Sequence, residues 1–477
     1  MPQLQINQGP QDALLYDNSR SYFTNVGYVR TSNFQMELRD VDSQNTAKLG
    51  STVQFVIPKA ADLLGPVDLV LKMKAATAGK ASTTTGTHAS WVKKFGFACI
   101  DQITFSVGSH DIEKITGDQL DIINELMRDD ESRYTNIVGN IAGDHSGSTA
   151  LSIINANTFV SPGADFIVPL GLFFTKHPSQ YFPLAAIAGC NDVRITIRFR
   201  QKNELIYSSD TNVSSTPDIE AKNVDADIET AQLRCHYIHV TGPEASTLMN
   251  KEHVRLLKLW HHDSKVVKDT DTKVSMDLSF LHPVSELIIV LRKNDDFTSG
   301  DEDTRDFYTY KGHMTKFQLT LNGQDRHPSL SSGIDKKYIQ DRLMPMLHSN
   351  TSNNHRIASA TVNLDNVTVR PAAAYLNSGA TAADSTITGT GSVSVVNTLS
   401  DLLDRKEIIV YPFSLNPEGS NPAGAVNFSK VSHAKLTVEV GNDSAGNTMS
   451  GDHTLDVYAV YYNWLQIKDG RALTSFA

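Results

Sequence analysis

Apolar and polar residues alternate with a period of two in segment after segment of this chain, a pattern that admits little besides half-buried β-strands. Val53, Phe55 and Ile57 share one face and stop at Pro58, Val67, Leu69, Leu71 and Met73 repeat the pattern, and Val193, Ile195, Ile197 and Phe199 alternate with Arg194, Thr196, Arg198 and Arg200. Strands with one apolar face and one polar, often basic, face predict sheet stacked on sheet, each sheet with one wet side. Helix is scarce. The best candidate is 118–127, with Asp118 as N-cap and Leu120, Ile123, Leu126 and Met127 on one face.

The second half replays the first. Val53–Phe55–Ile57 and then Val67 to Met73 correspond to Val274, Met276, Leu278, Phe280 and then Leu287 to Leu291. Ile103, Phe105 and Val107 before Gly108-Ser109 correspond to Phe317, Leu319 and Leu321 before Asn322-Gly323. Val193 to Phe199 corresponds to Ala434 to Val440, and the strand around Tyr237 to that around Ala459. The order survives while the offset drifts, as in an internal duplication with variable loops. A chain of 477 residues also exceeds the roughly 250–300 at which a single core stops growing. The expected boundary lies at 242–250, giving modules 24–241 and 251–477 and leaving 1–23, poor in core-forming residues, as an N-terminal arm.

The stretch IIVYPFSLNPEGSNPAGAVNFSKVSHAKLTVEV, 408–440, joins two such strands by a connector holding Pro412, Pro417, Pro422, Gly424, Asn427 and Phe428. Its prolines and glycine rule out a helix and specify a shaped loop. In LTLNGQDRHPS the pair Asn322-Gly323 is the sequence that best tolerates the two positive φ angles of a type I′ hairpin, with Gln324, Asp325 and Arg326 behind it. Asp325 and Arg326 are free to pair locally or across a subunit boundary.

These two segments resemble the signatures of the major capsid proteins of nucleocytoplasmic large DNA viruses. Weaker echoes of the same family are TNVGYVRTSNF, DFIVPLGLFF and YAVYYNWLQIKDGRA, in the family's order along nearly the whole chain. The resemblance implies an all-β chain of two consecutive eight-stranded antiparallel jelly rolls. It also implies a homotrimer of pseudo-hexameric outline that tiles an icosahedral shell. The expected partners are neighbouring capsomers, minor capsid and penton proteins and, indirectly, an internal viral membrane, and the expected place is the virion shell, assembled in host cytoplasm.

Charge agrees with a shell protein that leaves the genome to others. The net charge of −10 argues against a surface that grips nucleic acid, since phosphate neutralisation needs clustered Lys and Arg. Cys99, Cys190 and Cys235 are odd in number and far apart, so buried free thiols are expected in place of a disulfide framework. The N-terminus lacks a basic stretch followed by an apolar core, and no apolar run reaches membrane-spanning length. Of five sequons, those in loops at Asn212, Asn350 and Asn442 are the candidate glycosylation sites, while Asn366 and Asn427 read as chance matches.

No catalytic, cofactor or metal residue is expected. Trp260-His261-His262-Asp263 reads as a solvent-facing strand end, because neighbours on an extended chain point to opposite faces and no ligand-spaced partner follows. The acidic loop 294–306 lacks the spacing of a calcium loop, and the neighbours Asp144, His145 and Ser146 are not the separated members of a nucleophilic triad. The long polar loops 75–90, 138–160, 202–230, 294–306, 328–359 and 371–397 are suited to presenting surface. In the resembling family such insertions form the outward tower of the capsomer. Two rival functions remain. One is a jelly-roll carbohydrate-binding protein or glycan-active enzyme, for which three tryptophans, Trp91, Trp260 and Trp464, offer little support; the other is a minor capsid or penton subunit, against which the duplication speaks.

Overall fold

The structure, a computed structural model, describes residues 34–74, 76–78, 89–92, 94–127, 138, 152–154, 160–161, 165–187, 189, 191–208, 224–225, 227–240, 243–250, 252–294, 307–308, 310, 313–327, 333–347, 408–417, 419, 422–441, 449 and 451–475. The proposed arm 1–23, Cys190, the sequons Asn212, Asn350, Asn366 and Asn442, loop 371–397, all of loop 294–306 but its first residue, and about half of loop 328–359 lie outside them.

Eight strands build a first sandwich: β1 (Phe34–Asp42), β2 (Thr52–Ile57), β3 (Leu63–Met73), β4 (Ile100–Val107), β5 (His110–Ile115), β6 (Asp165–Pro169), β7 (Val193–Phe199) and β8 (Ile228–Val240). Eight more build a second: β9 (His253–Val267), β10 (Lys273–Asp277), β11 (Pro283–Lys293), β12 (Met314–Leu321), β13 (Gln324–Asp325), β14 (Ile409–Pro412), β15 (Ala434–Val440) and β16 (His453–Lys468). The first pairs its strands in the orders β1-β8-β3-β6 and β2-β7-β4-β5, and the second in the orders β9-β16-β11-β14 and β10-β15-β12-β13. The second order is the first shifted by eight strands, and it is the jelly-roll order in which chain neighbours fall in opposite sheets except at the β4-β5 and β12-β13 hairpins. Each correspondence read from the sequence joins topologically equivalent strands.

Alternation fixes the register. Ile195 stands opposite both Phe55 and Phe105, so the inward row of β7 meets the inward rows of β2 and β4. From the facing sheet come Leu69, Leu71, Phe166 and Leu233, all buried. Phe105, Phe174 and Phe182 close the first core with ring centroids 5.2–6.0 Å apart. Burying each such ring contributes on the order of 1.5–3 kcal/mol. Phe317, Leu319, Leu436, Val438, Leu287 and Ile289 do the same in the second core.

Two small sheets stand among the long loops of the first sandwich. Ala76–Ala78 pairs with Val160–Ser161 and Val224–Asp225, and Ala89–Trp91 pairs with Ser152–Ile154 and Ile206–Ser208. Loops 75–90, 138–160 and 202–230 therefore meet one another.

Four expectations need correction. Helix α1 runs Gly117–Met127, and its cap is Thr116: Thr116 Oγ1 accepts the Gln119 N–H (3.3 Å) while Gln119 Oε1 accepts the Thr116 N–H (2.9 Å). This reciprocal capping box leaves Asp118 inside the first turn. The 242–250 linker is helical, Pro243–Asn250, with proline at the start where its missing N–H costs nothing; helix also occurs at Phe95–Ala98 and over 336–347. Residues 260–263 lie within the fifteen-residue β9, not at a strand end. Finally, β11 is buried on both faces from Val284 to Leu291, so the second sandwich's β9-β16-β11-β14 sheet has no wet side at its centre.

Candidate functional site

The Asn322-Gly323 turn joins β12 to β13 with φ of 52° and 78°, two consecutive left-handed residues. Asn322 does more than tolerate that angle. Its Oδ1 accepts the N–H groups of Ser432 (2.7 Å) and His433 (3.3 Å), and its own N–H donates to the His433 carbonyl (2.8 Å), which pins the entry to β15. Asp325 accepts from Gln318 Nε2 (2.9 Å) and Thr320 Oγ1 (2.6 Å) on the same hairpin. Arg326 hydrogen-bonds the Tyr411 hydroxyl, which also meets His327 Nε2 at 2.6 Å. Both charges are thus engaged within the chain.

The connector runs from β14, in one sheet, to β15, in the other. Pro412 ends β14 opposite Glu286; the N–H groups of Phe413 and Ser414 then donate to the Ser285 carbonyl (2.8 and 3.0 Å). Lys258 Nζ on β9 donates to the carbonyls of Pro417 (2.7 Å) and Gly419. Beyond Pro422, Gly424 takes φ of 125° beside the Phe413 carbonyl. Asn427 Oδ1 caps a single turn by accepting the Ser429 N–H (3.0 Å), and the buried Phe428 ring lies against Phe280 and Phe413. Asn427 is therefore a structural cap.

Among the described residues a buried polar cluster lies where the sandwiches meet. Asp118 on α1 accepts from Arg200 Nη2 (3.2 and 3.3 Å) in its own sandwich and from Arg292 Nη1 (3.0 Å) on β11 in the other. Arg292 Nε also donates to Asp456 Oδ2 (2.8 Å) on β16, whose Oδ1 lies 2.9 Å from His262 Nε2. One turn along α1, Asp121 and Glu125 both pair with the buried Lys94, and the Tyr310 hydroxyl donates to Asp121 (3.4 Å). Arg200 lies over the Phe307 ring (4.8 Å) and Lys94 over that of Tyr308 (5.8 Å).

Electrostatics explain how charge survives there. Burial alone would push the Asp118 carboxyl up, yet the guanidiniums of Arg292 and Arg200 hold it below the usual carboxylate range. Burial would likewise push Lys94 down, and Asp121 and Glu125 hold its ammonium above its ordinary value. Glu113 on β5 lacks such compensation: burial pushes it up to about 7 against the opposing Phe173 N–H and Lys176. Such a cluster fixes the relative position of two sandwiches, because breaking any buried pair leaves a charge stranded.

The seam continues beyond the cluster. Arg255 donates to the Tyr181 carbonyl, and Asn191 Nδ2 donates to the Gly470 carbonyl (2.8 Å). A cleft of about 1080 Å³ opens along it between Asp68 and His236 on one side and Lys258, Trp260 and Glu286 on the other. His262 stacks on Tyr458 (4.6 Å) while Asp263 accepts from Ser279, so the adjacent residues do face opposite ways. Among the described residues no three His, Cys, Asp or Glu side chains gather as a metal site. Cys99 and Cys235 are buried free thiols, which burial pushes up. Reading the sequence missed Lys94, Asp121, Glu125, Arg292 and Asp456; the signal present was a charge inside or beside an apolar strand, as in LIIVLR and TLDVYAV.

Comparison with known proteins agrees with this geometry. Residues 21–241 match the family model "Major capsid protein N-terminus". The major capsid protein of Pyramimonas orientalis virus is 25% identical over 471 residues, 98% of this chain and 96% of that one. That of Phaeocystis pouchetii virus is 24% identical over 537 aligned residues, 98% and 97% of the two chains. Among solved structures, the PBCV-1 virus capsid superposes with a TM-score of 0.63 at 17% identity, covering 96% of this chain and all of that one. The Faustovirus major capsid protein gives 0.62 at 12% identity, covering 98% and 96%. Relatives aligned over nearly their whole length, a family model matched over residues 21–241 and a twice-written jelly roll make the chain similar to the major capsid proteins of nucleocytoplasmic large DNA viruses, with the double jelly-roll fold of their solved structures.

Proposed function

We propose that this chain is the major structural subunit of an icosahedral shell of a large double-stranded DNA virus, acting as a homotrimer of pseudo-hexameric outline. The observation that carries the reading is the repeated strand order, since two like modules in one chain and three chains in a ring make a near-hexagonal tile. A minor or penton subunit would need only one module. The role is structural, with no catalysis assigned to it. On this reading residues 24–241 and 251–477 are the two modules, 242–250 joins them, and 1–23 reaches to neighbouring capsomers or to minor capsid proteins beneath the shell. The meeting loops of the first sandwich and residues 371–397 form the outward surface, where Asn212, Asn350 and Asn442 would accept glycans. The acidic balance leaves direct DNA contact to other proteins, and an internal membrane is met only through partners. Assembly takes place in the host cytoplasm.

Light scattering on the purified chain tests the trimer. The expected mass is three times the 52.4 kDa of one chain. A monomer at high concentration overturns the reading.

A further inference from the structure

Lys94 is a lysine with almost no solvent to reach. Its side chain is 4% exposed, and those of its partners on α1, Asp121 and Glu125, are 0% and 9% exposed. Nζ stands 2.5 Å from Asp121 Oδ1 and 2.5 Å from Glu125 Oε1. One buried ammonium is balanced by one carboxylate, so the second carboxylate adds a desolvation cost that an ion pair alone does not require.

The backbone is arranged to hold this contact. Lys94 enters the Phe95–Ala98 turn with φ of 53° and ψ of 41°, a left-handed conformation that a non-glycine residue adopts only when its surroundings impose it. Asp121 and Glu125 are four residues apart on α1 and therefore present both carboxyls to the same Nζ. The Tyr310 hydroxyl donates to Asp121 Oδ2 (3.4 Å), while Oδ1 faces the lysine. Rings help to keep water out: that of Tyr308 lies 5.8 Å from Nζ, and Phe95 is buried against Trp91 with centroids 4.6 Å apart.

We propose that Lys94 and Asp121 of the folded chain join through an isopeptide bond, with Glu125 as the base. The ion pair is the resting form of the reactants. Moving one proton from Nζ to Asp121 Oδ1 gives an amine and a carboxylic acid, removes two buried charges and leaves the net charge of the triad unchanged. The neutral amine then attacks Asp121 Cγ, one bond beyond Oδ1. Glu125 takes a proton from Nζ and passes it to Oδ1, the Cγ–Oδ1 bond breaks, and Oδ1 leaves as water with both protons. Oδ2 stays as the amide oxygen, and the Tyr310 hydroxyl stabilises the negative charge it carries in the tetrahedral intermediate. An ammonium and a carboxylate become an amide and one water, so no oxidant, reductant or co-reactant is needed. Well-oriented groups react as if at about 10⁵–10⁸ M, which lets a minor neutral form suffice for a reaction that runs once per chain. Exclusion of water protects the product from hydrolysis. The bond would close a loop over β4, β5 and the first turn of α1, locking to its own sandwich the helix whose Asp118 holds Arg292 of the other.

Mass spectrometry of the full chain, purified and then denatured, tests the bond. The expected intact mass is one water below that of the sequence. Trypsin is expected to leave Lys94 uncut and to yield a branched peptide joining residues 94–114 to 115–128. Lys94→Arg and Asp121→Ala should each return to full sequence mass. Glu125→Gln keeps amine and carboxyl, and should slow the appearance of the linked form about 100-fold in chains made by cell-free synthesis and sampled over time. A wild type that stays at full sequence mass after prolonged incubation overturns the proposal, as does a loss of water confined to one linear peptide, which marks an internal imide. A branch at Glu125 overturns the assigned roles, and an unchanged rate in Glu125→Gln overturns its part as base. None of these readouts depends on the chain being a trimer, so the bond and the capsomer reading stand or fall separately.

Discussion

Asp118→Ala isolates the load carried by the charge cluster. The Asp118 side chain is only 10% exposed and its partners Arg200 and Arg292 are 12% and 25% exposed, so this is a buried pair and not a surface one. Stranding a buried charge costs about 3–5 kcal/mol, where an exposed pair is worth about 0–1. Arg292 keeps Asp456 at 2.8 Å, while Arg200 keeps the Phe307 ring. One stranded cation, not two, places the expected loss at the lower end, about 3 kcal/mol. Asp118→Asn retains volume and an acceptor oxygen, so its loss is smaller.

Denaturant unfolding followed by the fluorescence of Trp260, which lines the seam cleft, is the assay, with a double-mutant cycle against Arg292→Met. A coupling of about 1 kcal/mol or more is expected from two groups 3.0 Å apart. The pH dependence has a fixed sign. The folded carboxyl sits below its unfolded value of about 3.9, so its contribution is present above that pH and disappears as pH falls through the depressed value. The deficit of Asp118→Ala should therefore shrink in strong acid. A loss under about 1 kcal/mol, or strict additivity with Arg292→Met, would show a solvated seam that does not hold the sandwiches together.

Gly323→Val should destabilise the second sandwich by about 1–3 kcal/mol through backbone strain alone, since a Cβ there meets nothing within 4 Å; an unchanged melting temperature would refute the turn. Gly424→Ala should lose more than Gly323→Ala, because its methyl also meets the Phe413 carbonyl oxygen at 3.1 Å, and equal losses would count against the connector geometry. Glu113 holds a proton in the folded chain up to about pH 7 that the unfolded chain releases near 4.3, so stability should fall by roughly 3–4 kcal/mol as pH rises between them. Glu113→Gln keeps an acceptor for the Phe173 N–H (2.8 Å) and should lose that slope; parallel pH profiles for the two proteins would refute the buried carboxyl.

Period-two alternation was enough to locate strands and to match them across the halves, because the side-chain period decides which face is buried. Asn322-Gly323 was legible for the same local reason. Asp118 was misread, since one acidic residue before an apolar stripe fits both an N-cap and a first-turn carboxylate; only the position of Thr116 and Gln119 separates them. The run from Leu287 to Leu291 carried a clue to burial on both faces, because an unbroken apolar run has no polar side to wet. What covers the second face is a long-range fact: Arg292 and Asp118 are 174 residues apart, and no local pattern joins them.

The outer faces of the equivalent strands β1 and β9 differ in chemistry for a reason that tethering supplies. Within the chain the modules are held at high effective concentration by residues 242–250, so their contact needs geometric definition more than affinity, and a charge network with Trp260, His262 and Lys258 is sufficient. Between chains no tether exists, and association must overcome the full loss of translational and rotational freedom. The register positions held by Lys258, Trp260 and His262 in the second sandwich are held by Phe34, Met36 and Leu38 in the first, which is the apolar surface that an untethered contact in the proposed trimer would need. Exchanging the sets should then act asymmetrically: Leu38→His should weaken trimers, whereas His262→Leu should leave the chain's modules together at the cost of their exact register. Equal effects of the two substitutions on trimer mass would mean that both faces do the same job, and the distinction between tethered and untethered contacts would fall.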